Sequence, residues 1–227
     1  MRQANKINVV ILDDHLSIID GYLFRLNGAP GIEVVGTGIY AEQVDPLLAS
    51  CPVDVLLLDI QVPISPQNPN PYPVHQVIPH WLQLNPDLAV LIISMYNLPT
   101  LLKAVMEAGA SGYILKEDQY AIRNLASILR TAHGGGIYLS PNAQQTLRKR
   151  QPDSPDLTPR QVEVLSLCAA YPDATTSDLA DKLNVANSTV RNLLSSAYLR
   201  LGVRSRAAAT AKAQQLGLFA PPFPPDY

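Results

Sequence analysis

Val53-Asp54-Val55-Leu56-Leu57-Leu58-Asp59-Ile60 is the stretch that decides the fold. It is a short apolar run, bounded by Pro52 and Pro63, that closes on an acid. Continuous apolar runs of this length suit a strand buried on both faces of a parallel sheet. An acid on the last residue of such a strand lies at the carboxyl edge, where open α/β sheets hold their ligands. Asp59 is therefore placed for chemistry, and the question is which groups share its edge.

The neighbouring runs repeat the pattern. Ile7 to Leu12 reads as a first strand and ends on Asp13-Asp14. A helical segment, Leu16 to Leu26, follows, then a second strand over Ile32 to Thr37 and a helix around Ala41 to Ala49. After Asp59 come a strand from Leu88 to Ser94, a helix from Pro99 to Ala108 and a strand from Gly112 to Leu115 that runs into Lys116. A last helix covers Tyr120 to Ala132 and stops at Gly134-Gly135-Gly136. Strands alternating with helices predict a doubly wound, five-stranded parallel sheet, an α/β fold. Asp13, Asp14, Asp59, Ser94 and Lys116 then converge on one edge. Clustered carboxylates repel unless a cation joins them, and an all-oxygen set facing solvent suits Mg²⁺. A carboxylate can attack phosphorus to give an aspartyl phosphate. A Lys neutralises the transferred charge, and a Ser hydroxyl can donate to a phosphate oxygen.

With these residues in view, the front of the chain resembles the receiver domain of bacterial two-component response regulators. The run Glu107-Ala-Gly-Ala-Ser-Gly-Tyr-Ile-Leu-Lys116 is typical of that family. The resemblance implies that Asp59 is the phosphoacceptor. Mg²⁺ would be held by Asp13, Asp14, Asp59 and the backbone carbonyl of Gln61. Ser94, Lys116 and Tyr113 would form the phosphate-binding and switch set, with Tyr113 turning inward once a phosphoryl group draws Ser94 towards Asp59. Gln61 and Tyr96, each two residues beyond a site residue, fall where the family tunes hydrolysis. Tyr96 either shields the phosphate or stands in solvent.

The chain departs from the family between Asp59 and Ser94, which lie 35 positions apart. Ile64 to Pro79 carries Pro66, Pro69, Pro71 and Pro73, which favour extended, polyproline-like backbone over helix. The third helix is expected to be displaced to Val74 to Leu84. Two readings of the Pro-rich loop stand: a tolerated surface insertion, or a border of the phosphorylation pocket that controls access to it.

From Leu157 onward the pattern is purely helical. Thr158-Pro159 sets an N-cap and a first-turn proline for a helix to about Ala170. Further helices are expected from Thr176 or Ser177, over Asn187 to Leu201, and over Arg206 to Leu216. Two short helices and a tight turn ahead of the third make a helix-turn-helix. Leu157-Thr-Pro-Arg-Gln-Val-Glu-Val-Leu165, Thr189-Val-Arg-Asn-Leu-Leu194 and Leu201-Gly-Val-Arg-Ser-Arg206 resemble the LuxR-type DNA-binding domain. Together the halves resemble a NarL/FixJ-type response regulator. The third helix would enter the major groove, with Asn187, Ser188, Arg191 and Asn192 towards DNA and Arg204 and Arg206 at the backbone. Glu163 is expected to pair with a basic group inside the domain, and Gln161, where Glu is frequent, is a minor change.

The expected organisation is a receiver over residues 1–140, a linker over 141–156 with a short helix at its start, a smaller all-α helix-turn-helix domain over 157–219 and a Pro-rich tail over 220–227. Charge follows it: residues 1–140 hold 7 Lys/Arg against 12 Asp/Glu, and residues 141–227 hold 10 against 7. An acidic front and a basic back suit different partners. Cys51 and Cys168 lie too far apart for a disulfide framework, which points to a cytoplasmic, reduced setting. No signal-peptide core or membrane-length apolar run is present.

The function implied is a DNA-binding transcriptional regulator with a sensor histidine kinase and double-stranded DNA as partners. It would act as a homodimer on paired half-sites when phosphorylated, without a membrane. Two other readings of the same residues exist. A dehalogenase-type phosphatase would need a second acid where Gln61 stands, so an enzyme is not expected. A receiver that serves only as a phosphorylation-independent dimerisation scaffold is the alternative.

Overall fold

The computed structural model describes residues 6–148 and 157–219. The sheet is built from β1 (Ile7–Leu12), β2 (Ile32–Gly38), β3 (Val55–Asp59), β6 (Ala89–Ser94), β7 (Gly112–Leu115) and β8 (Tyr138–Leu139). The intervening β4 (Pro63–Ser65) and β5 (Asn68–Pro71) form a separate antiparallel hairpin. The main sheet runs β2-β1-β3-β6-β7-β8 and every pair in it is parallel. Five strands were expected. The sixth, β8, is two residues long and bonds to β7 through Tyr138 N–H to Ser111 O and Ser140 N–H to Tyr113 O.

The apolar run that ends on Asp59 is the middle of this sheet. Leu56 and Leu58 join one buried cluster with Val10, Leu12, Val90 and Ile92, while Val55 and Leu57 join the other with Val9, Ile11, Leu91 and Ile93. Side chains alternate between faces, and both faces are covered, so every residue of β3 is buried. Helices α1 (Leu16–Leu26) and α6 (Leu125–His133) cover one face. Helices α2 (Val44–Ser50), α3 (Val74–Leu84), α4 (Pro99–Glu107) and α7 (Pro141–Arg148) cover the other. The single helix expected over Tyr120 to Ala132 is two: α5 (Gln119–Arg123), capped by the Asp118 carboxylate, and α6, with Asn124 off helical geometry between them.

Two readings change at the domain border. Helix α7 lies in the segment taken as linker, yet Ala143 is fully buried in the receiver core. The rest of that linker and the Pro-rich tail lie outside the described residues. The third helix does start at Val74, but the Pro-rich run before it is a hairpin and not simply an extended loop. Pro63 pairs with Pro71 and Ser65 with Asn68, and side chains of Ser65, Asn68 and Asn70 bond along the turn. Pro lacks an amide donor, which confines it to edges of this kind.

The second domain has its own core, formed by α8 (Pro159–Ala170), α9 (Thr176–Leu183), α10 (Asn187–Leu201) and α11 (Arg206–Gln215). Thr158 and Gln161 form a capping box at the start of α8. Asn184, with φ of 51°, ends α9, and only Val185 and Ala186 separate it from α10. Left-handed backbone is open to Asn at modest cost, which makes this turn tight.

Candidate functional site

The carboxyl edge brings the expected residues together. Lys116 Nζ lies 2.7 Å from Asp13 Oδ2 and 2.8 Å from Asp59 Oδ2. Asp13 is fully buried, Asp59 is 4% exposed and Ser94 is fully buried. The other oxygen of Asp59 accepts the Gln61 N–H at 3.2 Å, so the carboxylate is fixed from both sides. Asp14 accepts from His15 Nδ1 at 2.7 Å, and the His15 N–H donates to Asp13 Oδ1 at 3.0 Å.

Charge in this pocket does not balance locally. One ammonium faces two buried carboxylates, with Asp14 beside them. Burial, opposed by Lys116 and reinforced by Asp13, pushes the Asp59 carboxyl up to about 6. Burial also works against the Lys116 ammonium, but Asp59 and Asp13 outweigh it and hold its pKa above the ordinary value. Asp13, Asp14 and His15 bring ligand atoms within 4.8 Å of one another. This surplus of negative oxygen, held rigidly at the edge, fits a hard divalent cation.

The hydroxyl side of the pocket is linked to its mouth. Ser94 Oγ accepts the Tyr96 N–H at 3.1 Å, and the Tyr96 hydroxyl donates to Gln61 Oε1 at 2.7 Å. Tyr96 is half-buried and bridges the two segments that leave β3 and β6, so it does not stand free in solvent. Tyr113 was expected to turn inward only on phosphorylation. It is already fully buried, its hydroxyl donating to Tyr96 O at 2.6 Å, because the sheet edge offers that carbonyl as a partner. The role of Tyr96 as the hub joining Ser94, Gln61 and Tyr113 was not readable from spacing alone.

In the second domain, Ser188, Arg191 and Asn192 are exposed on the first turns of α10. Asn187 is half-buried and accepts from Arg191 Nε at 3.3 Å. Arg204 is exposed just before α11. Arg206 corrects the expectation of a backbone contact. Its guanidinium points into the domain, donating to Ala174 O at 2.5 Å and to Cys168 Sγ at 3.1 Å, and so ties α11 to α8 and the loop before α9. Glu163 pairs at 2.8 Å with Arg160, one turn away on the surface of α8, so its partner is a basic group of the same domain, as expected. Gln161 is more than a minor change: it is buried, closes the capping box and donates to Ser196 Oγ on α10 at 2.8 Å.

The domains also meet. Asn68 Nδ2 in the hairpin donates to Ala170 O at 3.1 Å. Gln76 Nε2 on α3 donates to Glu163 O at 2.7 Å and to Ser166 Oγ. The Thr100 hydroxyl lies 2.7 Å from Leu216 O and 2.6 Å from Gly217 O. Gly217 has φ of 66°, and a Cβ there would sit 2.9 Å from Leu98 Cβ, so glycine permits this approach. An open cleft of about 940 Å³ lies between α3 and α4 on one side and α8 on the other.

A parallel sheet with an acid, hydroxyl and ammonium set at its carboxyl edge, joined to a helix-turn-helix, defines the two-domain response regulators. Residues 155–213 match the family described as bacterial regulatory proteins, luxR family. The whole chain is similar to the transcriptional regulatory protein DegU of Brevibacillus brevis, 28% identical over 94% of this chain and 95% of DegU. It is equally similar, at 28% over 94% of this chain and 96% of its relative, to the probable transcriptional regulatory protein NarL of Mycobacterium tuberculosis. Among solved structures, the RcsB response regulator of Salmonella typhimurium is 26% identical with a TM-score of 0.56, covering 93% of this chain and 99% of RcsB. Residues 155–213 thus carry a luxR-family domain, and over nearly its whole length the chain is similar to DNA-binding two-component response regulators. No helix among the described residues is long and apolar enough to cross a membrane.

Proposed function

We propose that this protein is a transcriptional regulator switched by phosphoryl transfer to Asp59 from a partner histidine kinase. Its second domain binds paired half-sites in duplex DNA as a homodimer, inside the cytoplasm. The observation that carries the reading is the Lys116 ammonium set between Asp13 and Asp59, with Ser94 on the adjoining strand end.

In the step itself, a carboxylate oxygen of Asp59 attacks phosphorus, the bond from phosphorus to the kinase imidazole breaks, and an acyl phosphate forms. Asp13 and Asp14, with Asp59 and the Gln61 carbonyl, would hold Mg²⁺, which would supply charge neutralisation to the phosphoryl oxygens. Lys116 is already within bonding distance of Asp59 and moves onto the new phosphate charge. Ser94 gives up the Tyr96 amide to donate to a phosphate oxygen, which pulls the β6 end and, through Tyr96, the Tyr113 hydroxyl. A shift of that kind biases a two-state element at the face beyond β7. On the output side, Ser188, Arg191 and Asn192 offer donors and acceptors suited to base edges, and Arg204 a charge for phosphate.

The test is affinity for duplex DNA measured with and without beryllium fluoride and Mg²⁺, using duplexes recovered from a randomised pool. Tighter binding in the beryllofluoride state is expected. Equal affinities would remove phosphorylation from the reading.

A further inference from the structure

The Pro-rich hairpin is the part of the receiver that the phosphorylation chemistry does not use. Among the described residues, its one hydrogen bond to the other domain runs from Asn68 to Ala170 O, the last carbonyl of α8. The last four carbonyls of a helix have no partner within it. Thr100 does the same beyond α11, at Leu216 O and Gly217 O. Gln76 reaches further back along α8, to Glu163 O and Ser166 Oγ. Receiver side chains thus cap acceptors at or just past the C-terminal ends of both α8 and α11, and add a bond to the middle of α8. The hairpin is stiffened by Pro63, Pro66, Pro69 and Pro71 and braced by Tyr72, which stacks on Trp81 at 6.3 Å.

None of these bonds touches the DNA-facing side of α10, where Ser188, Arg191 and Asn192 remain exposed. The docked domain is held by its back while its reading surface stays open. Docking in this form leaves the face of α10 that carries Ser188, Arg191 and Asn192 uncovered.

We propose that the β4–β5 hairpin and the start of α3 are a docking surface for α8 of the same chain, and that this surface fixes the direction in which α10 is presented. This rests on the reading of the protein as a dimeric binder of paired half-sites. Two recognition helices aimed by rigid receivers accept one half-site spacing, whereas two helices joined only through a linker accept several.

The test uses the full-length protein in the beryllofluoride state. Asn68→Ala with Gln76→Ala removes donors from the docking surface. Gln76→Glu alone preserves volume but sets a carboxylate against the Glu163 carbonyl. Small-angle scattering reads domain docking, and recovery of duplexes from a randomised pool reads spacing. The wild-type protein is expected to recover one spacing, preferred over its neighbours by about tenfold or more. Both variants are expected to scatter as a more extended particle and to recover half-sites over a spread of spacings. Unchanged scattering, or extended scattering with the single spacing retained, overturns the proposal. If the wild-type protein recovers no DNA, the functional reading itself fails, and the scattering still shows whether the hairpin holds the domain.

Discussion

Lys116 and Arg191 are both cations on which a function is proposed to turn, and they stand in opposite surroundings. The Lys116 side chain is 8% exposed and wedged between two carboxylates at the end of a sheet. Arg191 stands in solvent on the surface of α10, where it donates to Asn187 one turn away. The buried cation has one geometry, set by strand register, and its energetics are dominated by its partners. The exposed one is free to change rotamer, and its contribution appears only when another molecule arrives. Substitutions at the first site should therefore disturb the protein itself, and those at the second should disturb only binding.

The largest expected effect follows from removing the proposed nucleophile. Asp59→Asn keeps the shape of the side chain but offers no anionic oxygen to phosphorus. Incorporation of phosphate from acetyl phosphate should fall to background, as read by phosphate-affinity electrophoresis. Normal incorporation would place the chemistry elsewhere. Next comes Lys116→Met, which leaves Asp13 and Asp59 facing each other without a cation. Breaking a buried pair from one side costs about 3–5 kcal/mol. Part of that is relieved as Asp59 takes up a proton, since it sits near 6 even with Lys116 present. Denaturant unfolding should show a clear loss at neutral pH that shrinks on mild acidification. No loss would mean the pocket is wetter than its burial indicates.

Much of the first region was legible because sheet geometry converts sequence position into spatial position. A residue that ends a buried parallel strand has one place to be, so Asp13, Asp59, Ser94 and Lys116 could be brought together from spacing alone. The same rule is silent about how far a long side chain swings. Arg206 and Arg204 are two residues apart and both looked outward, yet Arg206 folds back to Ala174 O and Cys168 Sγ. The Pro-rich run was legible as non-helical, because proline forbids the helix interior, but proline says nothing of what an extended segment pairs with. The hairpin depends on Ser65, Asn68 and Asn70 bonding across its turn, and its docking depends on one amide.

A third effect tests the seam between the regions. His75 lines the cleft on α3, and its Nε2 is shut off from solvent without a hydrogen-bond partner among the described residues. Burial lowers its pKa to about 4. A histidine held neutral in the fold binds its proton more readily when released. Its contribution is therefore complete above about pH 6.5 and is lost as pH falls towards 4. The loss is at most about 3 kcal/mol, and smaller if the cleft opens and hydrates the ring. His75→Asn should flatten this part of the stability profile between pH 4 and 6.5, measured by thermal unfolding. A profile identical to that of the unaltered protein would show that His75 does not govern the seam.

The smallest effects fall within the output domain, where Arg191 is exposed and Arg206 is turned inward. Arg191→Ala removes an exposed side chain whose one hydrogen bond among the described residues is to Asn187, so the melting temperature should hold. Affinity for the recovered duplex should weaken by about 1–3 kcal/mol if Arg191 reads a base edge. A uniform weakening over all sequences, with a shallower salt dependence, would instead assign it to a phosphate. Arg206→Ala should do the reverse. It leaves Ala174 O without its donor and opens space beside Cys168, at a cost of about 1–3 kcal/mol in stability. The slope of affinity against salt should not change, because no phosphate contact is lost. If Arg206→Ala reduced that slope while leaving the melting temperature in place, its inward bonds would be those of the free protein only. The guanidinium would then have to swing out to DNA, and the contrast between buried and exposed cations would not extend to this domain.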